Sequence, residues 1–162
     1  MLKRLLLVTV ATLFFALQWG MENAFALNIK ESIRTVKLNE EQMIVLTNEQ
    51  VKHGQELFTS ECSKCHASGR TKPNPNVGLG LEDLKGAEPP RDNVLSMADY
   101  LEYPTSYDGE DDLSILHPNT KRADLYPGMR NYTQQDLQDV SGYILIQPAL
   151  RGSSWGGGKF LN

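Results

Sequence analysis

Two short apolar-rich stretches, Thr35–Leu38 and Met43–Leu46, flank the polar Asn39–Gln42 near the start of the chain's main body. Short β-prone stretches around a polar connector predict a small hairpin. The spacing then becomes helical. Thr47 with Gln50 three residues on has the capping-box pattern, and Val51, Gly54, Leu57 and Phe58 share one face of the helix it would start. Residues 69–92 are rich in Gly, Pro and Asn and predict loop, with a short turn at Leu81–Lys85. Asn93 caps a second helix carrying Val94, Met97, Ala98 and Leu101, which Pro104 ends. A turn at Ser106–Gly109 precedes a short helical candidate, Glu110–Leu116, with acids at its positive N-terminal end. His117-Pro118 closes that candidate. A last helix starts at Thr133 with Asp136 at the capping-box distance. Leu137, Val140, Ser141 and Ile144 mark its inner face, Pro148 is expected to stop it, and residues 151–162 form a glycine-rich tail.

These elements are few and short, the loops between them are long, and the apolar core is sparse for a domain of this size. The pattern predicts a mainly α fold that a non-protein group completes. Composition changes the picture at the N-terminus. Lys3 and Arg4 precede the uncharged run Leu5–Trp19, and Ala24-Phe25-Ala26 follows as a peptidase site. That is a secretory signal pattern over residues 1–26, the run being short of the roughly 20 apolar residues a bilayer span needs. Residues 27–162 then form one domain. The formal net charge of −4 becomes one unit more negative once Lys3, Arg4 and Glu22 are removed. Without a basic stripe, nucleic acid is excluded as a partner class.

The chemistry lies in ECSKCHASGR, residues 61–70. Cys62 and Cys65 are the chain's 2 cysteines, and His66 is one of its 3 histidines. A disulfide closing so small a loop would stabilise little. Structural zinc wants a second Cys/His pair, which the chain lacks. A redox dithiol wants a βαβ setting, and here the pair follows a helix. Covalent haem accounts for every part: two thiols a helical turn apart add to the porphyrin vinyl groups, and the adjacent histidine binds the iron. A small residue at Gly54, with Phe58 beside it and Tyr143 on the last helix, matches the crossing of terminal helices in class I cytochromes c. The far side of the iron has three candidates. His53 sits among polar neighbours as a surface residue, while Met129 in YPGMR and His117 in ILHPN both lie at credible spacing. A thioether raises the reduction potential and a second imidazole leaves it lower; spacing alone does not choose between them.

The segments CSKCH, PPRDN (Pro89–Asn93), PTSYDG (Pro104–Gly109), the HP of ILHPN, ADLYPGMRN (Ala123–Asn131) and WGGGK (Trp155–Lys159) occur here in one order. In this the chain resembles the PsbV family, the extrinsic low-potential c-type cytochromes of photosystem II in cyanobacteria and algal plastids. The resemblance implies a mainly α, class I cytochrome c-like fold with one haem c. It implies thioether links at Cys62 and Cys65, axial ligands His66 and His117, and a packing role for Met129. It also implies a place on the lumenal face of the thylakoid membrane, against the photosystem II core and its other extrinsic subunits. There the family stabilises the manganese–calcium cluster and its calcium and chloride, and is not itself an enzyme. The alternative is a freely diffusing electron carrier. One departure is the end of the chain, Phe160-Leu161-Asn162, where relatives often carry aromatic residues; the tail is expected to act as a strand-like anchor that orders on docking.

Overall fold

The computed structural model describes residues 29–157. The expected signal segment, residues 1–26, and the tail end from Gly158 lie outside the described residues. A single helical turn, α1 (Glu31–Arg34), leads into β1 (Thr35–Lys37), which pairs antiparallel with β2 (Met43–Val45). The register is Thr35 opposite Val45 and Val36 opposite Ile44, so the buried Val36 points to the core. The Asn39 side chain closes the connector by accepting from the Glu41 and Gln42 amides, both at 2.9 Å, as short polar side chains do in turns.

Helix α2 (Asn48–Leu57) opens with the expected box: the Gln50 amide donates to Thr47 Oγ1 at 3.1 Å, and the Thr47 amide to Gln50 Oε1 at 3.0 Å. Two of the four orphan donors of the first turn are thereby satisfied. The chain continues through a wider π-helical turn, Phe58–Cys62, into α3 (Ser63–His66). A stripe of hydroxyls accompanies the widening. Thr59, Ser60 and Ser63 donate to the carbonyls of Gln55, Leu57 and Thr59, competing with the regular backbone ladder.

Helix α4 (Leu81–Lys85) occupies the expected turn, and α5 (Val94–Glu102) starts where Asn93 Oδ1 accepts from the Ser96 amide at 2.9 Å. Helix α6 (Gln134–Arg151) is the hub, packing across α2 and α5. Its capping box pairs Thr133 with Asp136, and Leu137, Val140, Ser141 and Ile144 are all buried. They meet Val51 and Phe58 of the α2 segment and Val94, Met97, Ala98 and Leu101 of α5 in one continuous core. Gly54 lies at the crossing; a Cβ there would come 2.1 Å from the Asp139 carbonyl oxygen. Only a bare backbone lets α2 and α6 approach so closely.

Two expectations need correction. Glu110–Leu116 does not form a helix. Its backbone turns back on the preceding segment through a bridge between Thr105 and Asp112, and the Leu113 amide donates to the Pro104 carbonyl at 2.8 Å. Those donors are used non-locally, and Pro118 disfavours helical backbone at His117. Pro148 does not end α6, which runs on to Arg151. So near the C-terminus a proline removes a single ladder bond, and the Gly152 amide closes the last turn on the Pro148 carbonyl before Gly152 turns off at φ 55°. Beyond α6 the described stretch as far as Gly157 folds back on the domain. Trp155 is only 4 % exposed, packs tilted 5.5 Å from Phe58 and edge-on 6.5 Å from Tyr143, and donates its indole N–H to the Leu79 carbonyl at 2.9 Å.

Candidate functional site

The end of the π-helical turn presents Cys62, and α3 presents Cys65 and His66 on the same wall of a cavity of about 320 Å³. After α3 the chain reverses through Ser68 (φ 56°) and Gly69 (φ 75°). The Gly69 carbonyl accepts from Leu79 at 2.7 Å, and the Ser68 carbonyl from Gly156 at 2.9 Å. The loop after the motif is thus tied to both the 69–80 segment and the end of the chain. A Cβ on Gly69 would meet the Trp155 ring at 2.7 Å, so the indole packs this close to the turn only with glycine there.

No disulfide joins Cys62 and Cys65. Burial, with the carboxylate of Glu61 and the Cys65 sulfur nearby, pushes the Cys62 thiol up to about 12. A thiol held protonated is a poor thiolate nucleophile and a poor zinc ligand. The opposite wall carries His117. Its Nδ1 lies 2.9 Å from the Pro118 carbonyl oxygen. A carbonyl only accepts, so the proton sits on Nδ1 and the Nε2 lone pair is free for a metal. Burial, and the charge of His66 next to it, lower the His117 pKa to about 4; the ring is neutral at ordinary pH. His66 has its Nδ1 3.2 Å from Thr71 Oγ1, and burial lowers its pKa too.

The rings of His66 and His117 face one another with centroids 6.1 Å apart and planes at 53°. Two imidazoles that bind one metal from opposite sides, at about 2 Å each, put their centroids roughly 6 Å apart. The cavity between them is mostly apolar, with Phe58, Leu79, Leu84, Met97, Leu101 and Ile144 on its walls beside a few polar groups, Asp83 and Arg91 among them. Two cysteines on one side, two neutral imidazoles across a gap of the right width and an apolar slot fit a flat metal porphyrin.

Sequence spacing leaves Met129 and His117 equal, and both line this cavity. Met129, 2 % exposed, follows Pro127 in a short 3-10 turn, with Gly128 against the Glu61 carboxylate. His53 lies elsewhere. It is 43 % exposed on α2, between Asp139 at 2.9 Å and Asp136 at 3.4 Å on α6.

Several contributors escape a reading of spacing alone. Asn119 is 0 % exposed and pins the His117 loop: its Nδ2 donates to the Ser114 and His117 carbonyls at 2.9 and 2.8 Å, while its Oδ1 accepts from the Arg122 amide at 2.8 Å. Tyr100 of α5 packs against the His117 ring at 5.0 Å, and Arg91 stacks on Tyr100. The available signals were the PPRDN and WGGGK segments, which point to Arg91 and Trp155 without assigning them a contact.

A family model described as the cytochrome c-550 domain matches residues 27–162. The chain belongs to the cytochrome c-550 family. A relative in Picosynechococcus, described as photosystem II extrinsic protein V, is 59% identical over 93% of this chain and 87% of its own. One of the same description in Synechocystis is 50% identical over 96% of this chain and 98% of its own. Among solved structures, a cytochrome c549 superposes with a TM-score of 0.77 at 44% identity, covering 78% of this chain and 99% of that one. The PsbV2 cytochrome of Thermosynechococcus elongatus gives 0.63 at 33% identity, covering 75% and 87%. The fold is therefore the mainly α, class I cytochrome c-like one with a small two-stranded sheet, and its cofactor is a covalently bound c-type haem.

Proposed function

We propose that this chain is an extrinsic cytochrome c of photosystem II, held on the lumenal side of the thylakoid membrane after removal of residues 1–26. In this reading Cys62 and Cys65 would carry the thioether links, and His66 and His117 would supply the nitrogens that hold the iron. The observation that carries it is the pair of neutral imidazoles 6.1 Å apart across the cavity that Cys62 and Cys65 line. When bound, the haem supplies one-electron chemistry, its potential set by axial ligands and burial. The polypeptide's part is to hold geometry. Thr71 and the Pro118 carbonyl orient the two rings through Nδ1, Asn119 fixes the distal loop, and Trp155 packs against the Gly69 turn that follows the motif. Met129 packs beside them.

The relatives described as photosystem II extrinsic protein V support the partner, and no described helix is long and apolar enough to cross a membrane. The role is architectural: the protein caps the core, helps to retain calcium and chloride at the manganese–calcium cluster, and carries electrons only secondarily. It is not an enzyme. Depletion from thylakoids tests this. Oxygen evolution is expected to fall in medium lacking added calcium and chloride and to return when the protein is added back; unchanged evolution contradicts the proposal. A freely diffusing carrier would appear in the soluble fraction before any salt wash, whereas a bound subunit is released by the wash.

A further inference from the structure

Arg91 is a charge the site does not account for. It is 8 % exposed, lies in the segment between α4 and α5, and lines the same cavity as the two histidines. Its Nη2 donates to the Thr105 carbonyl at 3.1 Å, Thr105 Oγ1 at 3.4 Å and the Ser106 carbonyl at 2.6 Å. All three acceptors are neutral. Among the described residues no salt bridge reaches it: neighbouring Asp92 is spent on Lys37 at 2.9 Å, and Asp83, also on the cavity wall, accepts from the Gly78 amide. The guanidinium carbon sits 3.9 Å above the Tyr100 ring, and Tyr100 in turn packs 5.0 Å from His117. A buried, uncompensated cation carries a desolvation penalty of several kcal/mol unless something else in the site offsets it. Stacking on an aromatic face offsets part of that.

We propose that Arg91 is a tuning residue for the haem: a fixed positive charge, carried on Tyr100 against the distal histidine, that favours the ferrous over the ferric state. Ferric haem bears one more positive charge than ferrous, so a nearby cation in a poorly screened cavity raises the energy of the oxidised form more. Arg91 touches neither the iron nor a reacting atom, and acts through its field. The inference rests on the proposed haem site, and potentials measured on spectrally checked holoprotein keep the two separable.

The experiment compares midpoint potentials of purified wild type, Arg91→Gln, Arg91→Met and Arg91→Lys by optical redox titration, alongside their ferric EPR spectra. Arg91→Met keeps much of the volume and removes the buried charge, a change that folds well in other proteins. The expected result is an unchanged EPR spectrum with a ferric-to-ferrous ratio, at fixed applied potential, at least threefold higher in the Gln and Met variants. That is a fall of about 28 mV, at 59 mV per tenfold for one electron. Arg91→Lys, which keeps the charge, stays near wild type. Equal potentials in all four proteins, or a Lys variant that falls as far as the neutral ones, overturns the proposal. Loss of haem from both neutral variants also overturns it, because Arg91 would then serve assembly. A wild-type EPR spectrum other than that of two imidazoles refutes the ligand assignment and leaves the comparison of potentials to judge Arg91 separately.

Discussion

Replacing Gly54 by alanine tests the packing on which the cavity depends. The added Cβ would sit 2.1 Å from the Asp139 carbonyl oxygen, 2.7 Å from its carbon and 2.8 Å from Tyr143 Cβ. Two of these atoms are backbone of α6 and cannot rotate away, so the helices must part by ~1 Å to restore ordinary contact distances. That gap spreads along a seam where Val51 and Phe58 meet Val140 and Tyr143. Overpacking costs about 1–3 kcal/mol, and backbone opposition places this site at the upper end. The gain in helix propensity from glycine to alanine returns about 1 kcal/mol. The net loss is about 2 kcal/mol, or a fall in melting temperature of roughly 4–8 °C for a domain of this size. Gly142→Ala is the matched control. It is also a helical glycine in contact across the core, but its Cβ would meet the Cδ atoms of Leu46, at 2.7 and 3.0 Å. A leucine terminus can shift, so that variant should stay within about 1 kcal/mol of wild type. Denaturant titration of both holoproteins, followed by far-ultraviolet circular dichroism, gives the answer. A Gly54→Ala protein at least as stable as Gly142→Ala would refute the reasoning.

Trp155→Ala should cost about 3–5 kcal/mol, the range for emptying a buried aromatic site, read as a lower urea midpoint; an unchanged midpoint would place the tail outside the core. Asn119→Ala leaves two carbonyls and an amide of the His117 loop without their side-chain partner, at roughly 1–3 kcal/mol for a group left unsatisfied. Its ferric EPR line should broaden or split, and a sharp wild-type line at wild-type stability would show that the loop holds itself. His117→Met should raise the midpoint potential while the haem stays covalently attached, since a thioether favours ferrous iron; an unchanged spectrum and potential would mean His117 is not a ligand.

The parts of this fold that could be read in the sequence are those decided within a few residues. Both capping boxes, the Asn93 cap and the Asn39–Gln42 turn depend on side chains bonding to adjacent backbone, the stop before Pro104 depends on the proline ring, and all occur as expected. Long-range competition accounts for the rest. Glu110–Leu116 has a helix-compatible pattern, but Pro104 and Thr105 take its backbone groups. Pro148 is a helix breaker by its chemistry, but so near the end of α6 it is tolerated. A glycine-rich tail pattern does not show that Trp155 is buried; Gly69 and Gly156 permit the close approach of that segment to the loop after the motif. At the site, Cys62, Cys65 and His66 are a contiguous motif and legible at once. His117 and Met129 are not separable by counting, because both line the cavity and only the folded chain brings the His117 ring to the His66 ring. Arg91 was invisible for a similar reason: a sequence shows a charge but not the absence of its counter-charge.

Low-temperature EPR of the ferric protein is the most direct measurement on the central claim, that one haem is held by nitrogen on both faces. The account predicts a single low-spin signal of the two-imidazole type, unchanged by Met129→Leu and abolished by His117→Ala. A histidine–thioether signal that disappears in Met129→Leu, or a high-spin signal from an iron with an open face, would contradict it.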